Sequence, residues 1–222
     1  MTPLLVEMTF DFICPWCLIG KRNLEKALAV LARSRPEAPV SLQWRGVQLL
    51  PQLPVDGVPF MDFYIQRLGS EDAVRARQQQ VKEAAYHADV DIDLKSIQRM
   101  PNTANAHRLL ELAMAQGSER QIDALLEQLF ASYFQRGEDL GDRDLLLRLA
   151  RQCGFDPQRL ETVLLDDGRP FEGSERVPST TAVPSFVIDQ RIQLAGAQPP
   201  WLMLAQLQRA LDLRAAPEAR AS

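Results

Sequence analysis

Two cysteines separated by two residues, Cys14 and Cys17, stand where a strand pattern gives way to a helix pattern. The apolar run before them is typical of a buried strand, and after them Leu24 and Leu31 recur at helical spacing. Pro15 falls at the first helical position, where the N–H that proline lacks has no intrahelical partner anyway. The sequence therefore predicts a strand, a short turn that carries the dithiol, and a helix that leads away from it.

The position of the cysteines at a helix start predicts reactive chemistry. The unpaired N–H groups and the positive end of the helix dipole favour a thiolate at Cys14. Cys17, a turn further in, is expected to be less exposed and to act as the resolving thiol. We interpret the pair as a thiol–disulfide exchange site in which a mixed disulfide forms at Cys14 and Cys17 resolves it.

Other interpretations of the cysteines fit the sequence less well. Structural zinc needs four ligands, and neither Cys153, His87 nor His107 forms a second ligand pair. A structural disulfide in so short a loop restricts the unfolded chain little. Cys153 falls at core spacing on an apolar helix face and is expected to be a small buried residue. The sequence thus predicts no metal and no resident cofactor.

The composition of the 222-residue chain is typical of a soluble globular protein, with 46% hydrophobic and 24% charged residues. The net charge is −4, and no run of Lys and Arg indicates a nucleic-acid partner. No apolar stretch reaches the ~20 residues that span a bilayer, and the N-terminus lacks a basic signal-peptide region. We expect a cytoplasmic protein without membrane or nucleic-acid partners. Thiols stay reduced in that compartment, so a catalytic dithiol is favoured over a structural one.

The first 48 residues predict a β–α–β unit. Strand signals cover about 4–12 and 40–47, the second with clear alternation, and a helix pattern covers about 15–33 between them. A crossover of helix length joins parallel strands. We therefore expect the two strands to lie in one sheet with the dithiol at the end of the first.

The pattern changes after this unit and returns to strands late in the chain. Residues 60–168 carry helix signals with no convincing strand, and two short runs around Gln190 then predict an antiparallel hairpin before a closing helix from Trp201. A βαβ unit and a ββα unit are the two halves of the thioredoxin fold, so we expect an α/β protein with this fold and a large all-helical insertion. The expected boundaries are 1–55 and 175–222 for the discontinuous thioredoxin-like domain, and 56–174 for the inserted helical subdomain.

Several short motifs follow one another between about residues 6 and 210. They are Asp11-Phe12-Ile13-Cys14-Pro15-Trp16-Cys17 with Gly20, Trp44-Arg45, Met100-Pro101-Asn102-Thr103, His107-Arg108, Val183-Pro184-Ser185-Phe186 and Gly196-Ala197-Gln198. In this order they resemble the DsbA family of thiol–disulfide oxidoreductases, in particular its FrnE-like branch. The resemblance implies a thioredoxin fold with a helical insertion, an active dithiol and a cis-proline loop over it.

Three further residues are candidates for substrate contact. Pro184 precedes the first strand of the second half, where this fold carries a cis-proline, and an ordinary trans proline is the alternative. Val183 is expected to offer backbone groups to an extended substrate segment. Trp16, between the cysteines, either contacts substrate through its apolar ring or packs on the insertion.

Two polar residues are candidates for a proton relay. Asp11 stands in an otherwise apolar run three residues before Cys14, where a buried carboxylate can relay the proton of Cys17. His107 lies on a predicted helix of the insertion that could face the dithiol. For both residues a structural, hydrogen-bonded role is the alternative interpretation.

One segment departs from the family pattern. The family leads into the cis-proline loop with a helix, whereas 166–181 contains two glycines and two prolines and predicts a loop. We expect this difference to affect the support behind Pro184 and the substrate groove.

Two functions follow from these observations. The first is a protein-disulfide oxidoreductase acting on protein or small-molecule disulfides and thiols, with glutathione or a thioredoxin system as redox partner. The alternative is a glutathione-dependent transferase or isomerase, because kappa-class glutathione transferases and 2-hydroxychromene-2-carboxylate isomerases share the insertion and resemble this chain around Asn102-Thr103 and Gly196. Those proteins carry a serine in place of the dithiol, so the two cysteines favour the first function. Glutathione as a co-substrate remains open in both.

Overall fold

The computed structural model describes residues 2–173 and 182–215. Within this part, the chain forms six strands and eight helices, in the order β1 (Leu4–Phe10), α1 (Pro15–Ser34), β2 (Val40–Gly46), β3 (Val58–Pro59), α2 (Phe60–Leu68), α3 (Glu71–His87), β4 (Arg99–Met100), α4 (Ala104–Gln116), α5 (Glu119–Phe134), α6 (Arg143–Gln152), α7 (Pro157–Glu161), β5 (Ser185–Ile188), β6 (Ile192–Ala195) and α8 (Pro200–Ala215). Apart from the two-residue strands β3 and β4, the order βαβ, helices, ββα is the one that the sequence predicts.

The main sheet has four strands in the order β2-β1-β5-β6. β1 pairs antiparallel with β5, so that Val6 lies opposite Ile188 and Thr9 opposite Ser185. β5 and β6 form the antiparallel hairpin that the sequence predicts. β1 is buried along nearly its whole length, as expected for a strand with a neighbour on each side. The turn that carries Cys14 therefore follows directly on the end of a central strand of the sheet.

The hairpin turn between β5 and β6 has an unusual backbone. Asp189 and Gln190 have φ angles of 55° and 57°, in the left-handed region that favours glycine. The Arg191 N–H donates to the Ile188 carbonyl at 3.1 Å and closes the turn. Two consecutive left-handed residues define the turn type whose twist matches that of a hairpin. The Asp189 carboxylate also pairs with Arg214 of α8.

The prediction that residues 60–168 contain no strand is wrong. β3 pairs antiparallel with β4, with Val58 opposite Met100 and Pro59 opposite Arg99. Strands of two residues are too short to show a period of two, so the alternation that reveals strands cannot appear. The insertion therefore contains a small two-stranded sheet besides its helices.

The described residues divide into two compact units. One contains residues 2–10, 16–45 and 182–215, and the other contains residues 11–15 and 46–173. The turn from Asp11 to Pro15 therefore clusters with the helical unit. The predicted boundary at 55/56 stays a prediction, and the one at 174/175 lies outside the described residues. No helix in the described part of the chain combines the length and the apolar character needed to cross a membrane.

Candidate active site

Cys14 ends the turn that joins β1 to α1. Its N–H donates to the Asp11 carbonyl at 3.1 Å, and Pro15 begins α1 directly after it. Cys17 lies in the first turn of α1. Cys14 is 8% exposed and Cys17 is fully buried at 0%. Both cysteines are present as thiols, and Cys14 is the more accessible of the two.

Asp11 is fully buried and its side chain anchors the turn. Its Oδ2 accepts the Leu49 N–H at 2.7 Å, and its Oδ1 accepts the Ile13 N–H in a long contact of 3.5 Å. His107 Nε2 lies 3.1 Å from Oδ1. An ionised carboxylate can only accept hydrogen bonds, whereas a ring nitrogen donates or accepts according to the tautomer of the imidazole. The structure thus brings together the two residues that the sequence nominates as a proton relay.

The imidazole of His107 is enclosed, with its side chain 0% exposed. The Phe12 ring lies beside it with centroids 4.9 Å apart, and the Phe171 ring stacks on it at 5.1 Å with an angle of 23° between the planes. A Cβ added to Gly46 would lie 2.4 Å from His107 Nδ1. Position 46 therefore has room for hydrogen and for no larger group while the imidazole keeps its place.

Two tyrosines, half-buried Tyr64 and buried Tyr133, belong to the same helical unit as Cys14. The pKa of Tyr64 is raised to about 12, first by burial and then by the negative charge of Cys14. The pKa of Tyr133 is raised well above its usual value, first by burial and then by the charges of Tyr64, Asp11 and Asp139. Both phenols therefore stay protonated at physiological pH and serve as neutral hydroxyl groups.

The proline loop lies against α1 in the other unit. The Val183–Pro184 peptide bond is cis. A Cβ on Gly20 would lie 3.0 Å from Pro184 Cγ and 3.2 Å from Phe186 Cζ. Gly20 is three residues after Cys17 on α1, so Pro184 packs on this helix within one turn of Cys17.

A second turn supports the proline loop. The Gly196 N–H donates to the Pro184 carbonyl at 2.7 Å. Asn23 of α1 donates through Nδ2 to the Gln198 carbonyl at 3.0 Å. The loop is therefore held from two sides, by the helix that carries Cys17 and by the turn that follows β6.

Three other predictions have different outcomes. Trp16 and Val183 are half-buried, and their substrate roles stay predictions. The prediction that Cys153 is a small buried residue is wrong: it is half-buried, because it is the C-cap beyond the last residue of α6. Burial nevertheless raises the pKa of its thiol. The ligand atoms of Asp11, Cys14 and His107 do not converge as a metal site among the described residues, and the absence of a metal stays a prediction.

Sequence analysis missed three residues that shape the surroundings of His107, namely Gly46, Gln48 and Phe171. Gly46 ends β2, and a glycine at the end of an alternating strand is a known signal of close backbone approach. Gln48 accepts the Phe171 N–H at 2.8 Å. No local pattern marks Phe171, because it lies in a loop 64 positions after His107 and contacts it only in the folded chain.

Comparisons with known proteins cover nearly the whole chain. Residues 5–208 match the family of DSBA-like thioredoxin domains. The chain is 26% identical to a probable DsbA oxidoreductase from Streptomyces coelicolor, with a TM-score of 0.82 over 99% of this chain and 94% of that one. A 2-hydroxychromene-2-carboxylate isomerase is 15% identical, with a TM-score of 0.62 over 95% and 98%. The cytosolic disulfide reductase DsbM from Pseudomonas aeruginosa, solved with GSH, is 14% identical, with a TM-score of 0.58 over 94% and 100%. At these identities the last two show a shared fold.

Proposed function

The chain belongs to the family of DSBA-like thioredoxin domains, and from this membership we propose that it is a protein-disulfide oxidoreductase working through Cys14 and Cys17. The observation that carries the proposal is the position of the two thiols. Cys14 directly precedes the first residue of α1 and is 8% exposed, while Cys17 is 0% exposed in the first turn of the helix. Exchange through a mixed disulfide needs an attacking thiol that substrate can reach and a resolving thiol close behind it, and the more exposed Cys14 fits the first role.

The reaction begins at Cys14. Its thiolate attacks one sulfur of a substrate disulfide, forms a Cys14–substrate disulfide and releases the other substrate sulfur as a thiolate. Cys17 then attacks the Cys14 sulfur, and the second substrate sulfur leaves. Two electrons pass from the dithiol to the substrate, and the Cys14–Cys17 disulfide remains. A thiol donor such as glutathione or a thioredoxin system restores the dithiol, and the same steps in reverse oxidise a substrate dithiol.

The start of α1 supplies the electrostatic support for the thiolate. The first N–H groups of a helix have no intrahelical acceptor, and the dipole of the helix places positive charge at this end. Pro15 removes one of these donors but sets the backbone for the helix to begin immediately after Cys14. The Cys14 thiolate therefore meets a helix start without intervening residues.

Proton handling falls to Asp11 and His107 in this proposal. Asp11 belongs to the same turn as Cys14, and its Oδ1 lies 3.1 Å from His107 Nε2. A buried carboxylate with an imidazole behind it can take up the proton that the dithiol loses and return it when the dithiol re-forms. Substrate contacts fall to Val183, Pro184 and Trp16, with Val183 pairing its backbone to an extended substrate segment.

The experiment that tests the proposal separates the three cysteines. Cys14→Ser should abolish reduction of a protein disulfide, whereas Cys17→Ser should accumulate a mixed disulfide at Cys14 that mass spectrometry detects. Cys153→Ser is the matched control and should keep the activity. The assignment is wrong if Cys14→Ser retains activity or if Cys153→Ser is equally inactive.

A second candidate is a glutathione-dependent transferase or isomerase in which Cys14 positions or activates a thiol. Two observations favour it: the fold is shared with a 2-hydroxychromene-2-carboxylate isomerase and with a disulfide reductase solved with GSH. Alkylation with and without prior dithiothreitol distinguishes the candidates. A mass difference of two hydrogens that maps to Cys14 and Cys17 supports the oxidoreductase, and tight glutathione binding without it supports the alternative. The cytoplasmic location stays a prediction.

A further inference from the structure

A loop segment runs beside the N-terminal half of α4, the helix that carries His107. We call residues 165–171 the covering segment. Asn105 of α4 holds its first residues, because Asn105 Oδ1 accepts the Leu165 N–H at 3.0 Å and Asn105 Nδ2 donates to Asp166 Oδ1 at 3.2 Å. The covering segment is therefore fastened at its beginning to a residue two positions before the imidazole.

Arg108 fastens the middle of the covering segment. Its Nη2 donates to the Arg169 carbonyl at 2.6 Å and to the Pro170 carbonyl at 3.1 Å. Its Nη1 donates to Asn105 Oδ1 at 2.9 Å, which links the two anchoring side chains. Arg108 directly follows His107, so α4 supplies both the imidazole and the side chains that hold the covering segment.

Gln48 fastens the end of the covering segment. Its Oε1 accepts the Phe171 N–H at 2.8 Å, and its Nε2 donates to Asn102 Oδ1 at 2.8 Å. Asn102 is itself buried and donates to the Leu53 carbonyl at 2.7 Å. The backbone of Phe171 is thus held by a chain of hydrogen bonds that ends in the interior of the helical unit.

These three attachments place the Phe171 ring on His107, stacked at 5.1 Å. Phe171 is half-buried, while the His107 side chain is 0% exposed and Phe12, its other ring neighbour, is fully buried. Phe171 is therefore the ring that separates the imidazole from solvent on its side of the pocket. A phenyl ring at this distance also restricts the plane that the imidazole can adopt.

We propose that Phe171 is a positioning residue for the Asp11–His107 pair, fixing the plane of the imidazole and keeping water away from it. With water excluded, a proton on His107 exchanges with Asp11 rather than with solvent, because Nε2 lies 3.1 Å from Oδ1. The consequence for catalysis rests on the proposed function, in which this pair handles the proton of the dithiol. The shielding of His107 by Phe171 rests only on the contacts of the covering segment.

Charged side chains on α4 and on the covering segment have partners of their own. Arg108 of α4 is engaged with carbonyl oxygens, as described above. On the covering segment, Asp167 pairs with Arg169 at 3.2 Å, and Asp166 lies 3.5 Å from Arg143. Glu172, next to Phe171 in the chain, is exposed. Asp11 Oδ1 lies 3.1 Å from Nε2, in hydrogen-bond contact with the imidazole.

The two histidines of the chain allow the shielding of His107 from solvent to be measured directly. His87 is exposed and serves as an internal reference, whereas His107 is enclosed. Diethyl pyrocarbonate modifies accessible neutral imidazoles, and peptide mapping by mass spectrometry reports each histidine separately. In the unaltered protein, we expect His87 to react and His107 to resist. Phe171→Ala should accelerate His107 modification about tenfold, the factor that corresponds to losing the burial of a half-buried phenyl ring.

Two further variants and a control sharpen the test. Phe171→Leu should give an intermediate rate, since a smaller side chain still covers the ring. Arg108→Gln should also accelerate the modification of His107, because it removes the hydrogen bonds that hold the covering segment, although residue 171 is still phenylalanine. This variant keeps the test decisive if Phe171→Ala does not fold. Arg169→Ala is the matched control on the covering segment. Its side chain is 80% exposed, and it should leave the modification rate unchanged.

The second readout is the pH profile of mixed-disulfide formation at Cys14, which a purely structural role for Phe171 would not shift. The profile of Phe171→Ala should move relative to the unaltered protein, and that of Arg169→Ala should coincide with it. The proposal is overturned if folded Phe171→Ala leaves His107 unreactive, or if His107 becomes reactive and the pH profile does not move. If the unaltered protein shows no exchange at Cys14, the proposed function fails, and the modification rates alone decide whether Phe171 covers His107.

Discussion

His107 Nε2 lies 3.1 Å from Asp11 Oδ1 across 96 positions of sequence, and both side chains are fully buried. Burying an acid beside an imidazole costs desolvation free energy that hydrogen bonds must offset. Asp11 gains such a bond from the Leu49 N–H at 2.7 Å. The same carboxylate therefore serves the turn of the chain and the imidazole, and its substitution should affect both stability and exchange.

The first prediction concerns the charge of Asp11. Asp11→Asn keeps the size of the side chain and one acceptor oxygen, but it puts an amide N–H₂ where the second carboxylate oxygen now faces either the Leu49 N–H or the imidazole. We expect a loss of about 1–3 kcal/mol in the free energy of unfolding and exchange slower by about 10²-fold. Urea unfolding and the rate of reduction of a protein disulfide measure the two effects. Asp91→Asn is the exposed control, and equal behaviour of the two variants would contradict the assignment.

The second prediction concerns Gly46. In Gly46→Ala the new methyl group would lie 2.4 Å from His107 Nδ1, so the imidazole must shift and its contact with Asp11 must change. We expect destabilisation of about 1–3 kcal/mol from overpacking together with slower exchange. Ser41→Ala on the same strand is the control and should change neither property. An unchanged exchange rate in a destabilised Gly46→Ala protein would separate His107 from the chemistry.

The third prediction concerns the contact between α1 and the proline loop. Alanine at position 20 improves helix propensity by about 1 kcal/mol, but its Cβ would lie 3.0 Å from Pro184 Cγ. We expect the loop to shift outward, because the close neighbour is a ring held by its own backbone. Gly20→Ala should therefore slow exchange with a protein disulfide more than with a small disulfide such as oxidised glutathione. Equal slowing of both substrates would place the effect on the thiols instead of on the loop.

The fourth prediction concerns pH and Cys153. Burial raises the pKa of this thiol, so its thiolate fraction at neutral pH is below that of an ordinary cysteine. In a Cys14→Ser, Cys17→Ser background, the rate of Cys153 alkylation by iodoacetamide should reach half of its maximum at a pH above the ordinary thiol pKa of ~8.5. Rates measured by mass spectrometry between neutral and alkaline pH give the profile. A half-maximum at or below that pH would contradict the raised pKa.

The fifth prediction concerns the hairpin turn. Gln190 has a φ of 57°, which costs a residue with a Cβ about 1 kcal/mol relative to glycine. Gln190→Gly should therefore raise the free energy of unfolding by a fraction of that amount, since glycine also gains freedom in the unfolded chain. Asp189→Gly relieves the same strain but removes the partner of Arg214, so it should stabilise less or destabilise. Thermal unfolding of the two variants compares them directly.

Much of the fold could be predicted because its signals are local. Pro15 at the first position of α1 and the short apolar runs around Gln190 each fix an element within a few residues. β3 and β4 could not be predicted, because two residues carry no periodicity. The burial of Cys153 could not be predicted correctly, because helical spacing indicates which face of the helix a residue lies on and not where the helix ends.

The residues of the candidate site also fall into those that local sequence signals predict and those that only the folded chain brings together. Cys14 and Cys17 are adjacent in sequence, so their arrangement follows from one turn and one helix start. The contact between Asp11 and His107 depends on the packing of α4, and sequence could name the two residues without placing them together. Gly46 and Phe171 act only through their proximity to His107, which no repeat or local motif encodes.

The grouping of residues 11–15 with the helical unit has a consequence for protein engineering. A minimal protein made by deleting residues 46–173 of the helical unit would retain the CxxC tetrapeptide and the four-stranded sheet except Gly46, yet Asp11 would lose both Leu49 and His107 as partners. The helical unit is therefore where we propose to adjust the reactivity of Cys14. Libraries built at Gly46, Gln48 and Phe171 would vary that reactivity. They would leave the CxxC tetrapeptide unchanged, and in the four-stranded sheet they would change only Gly46.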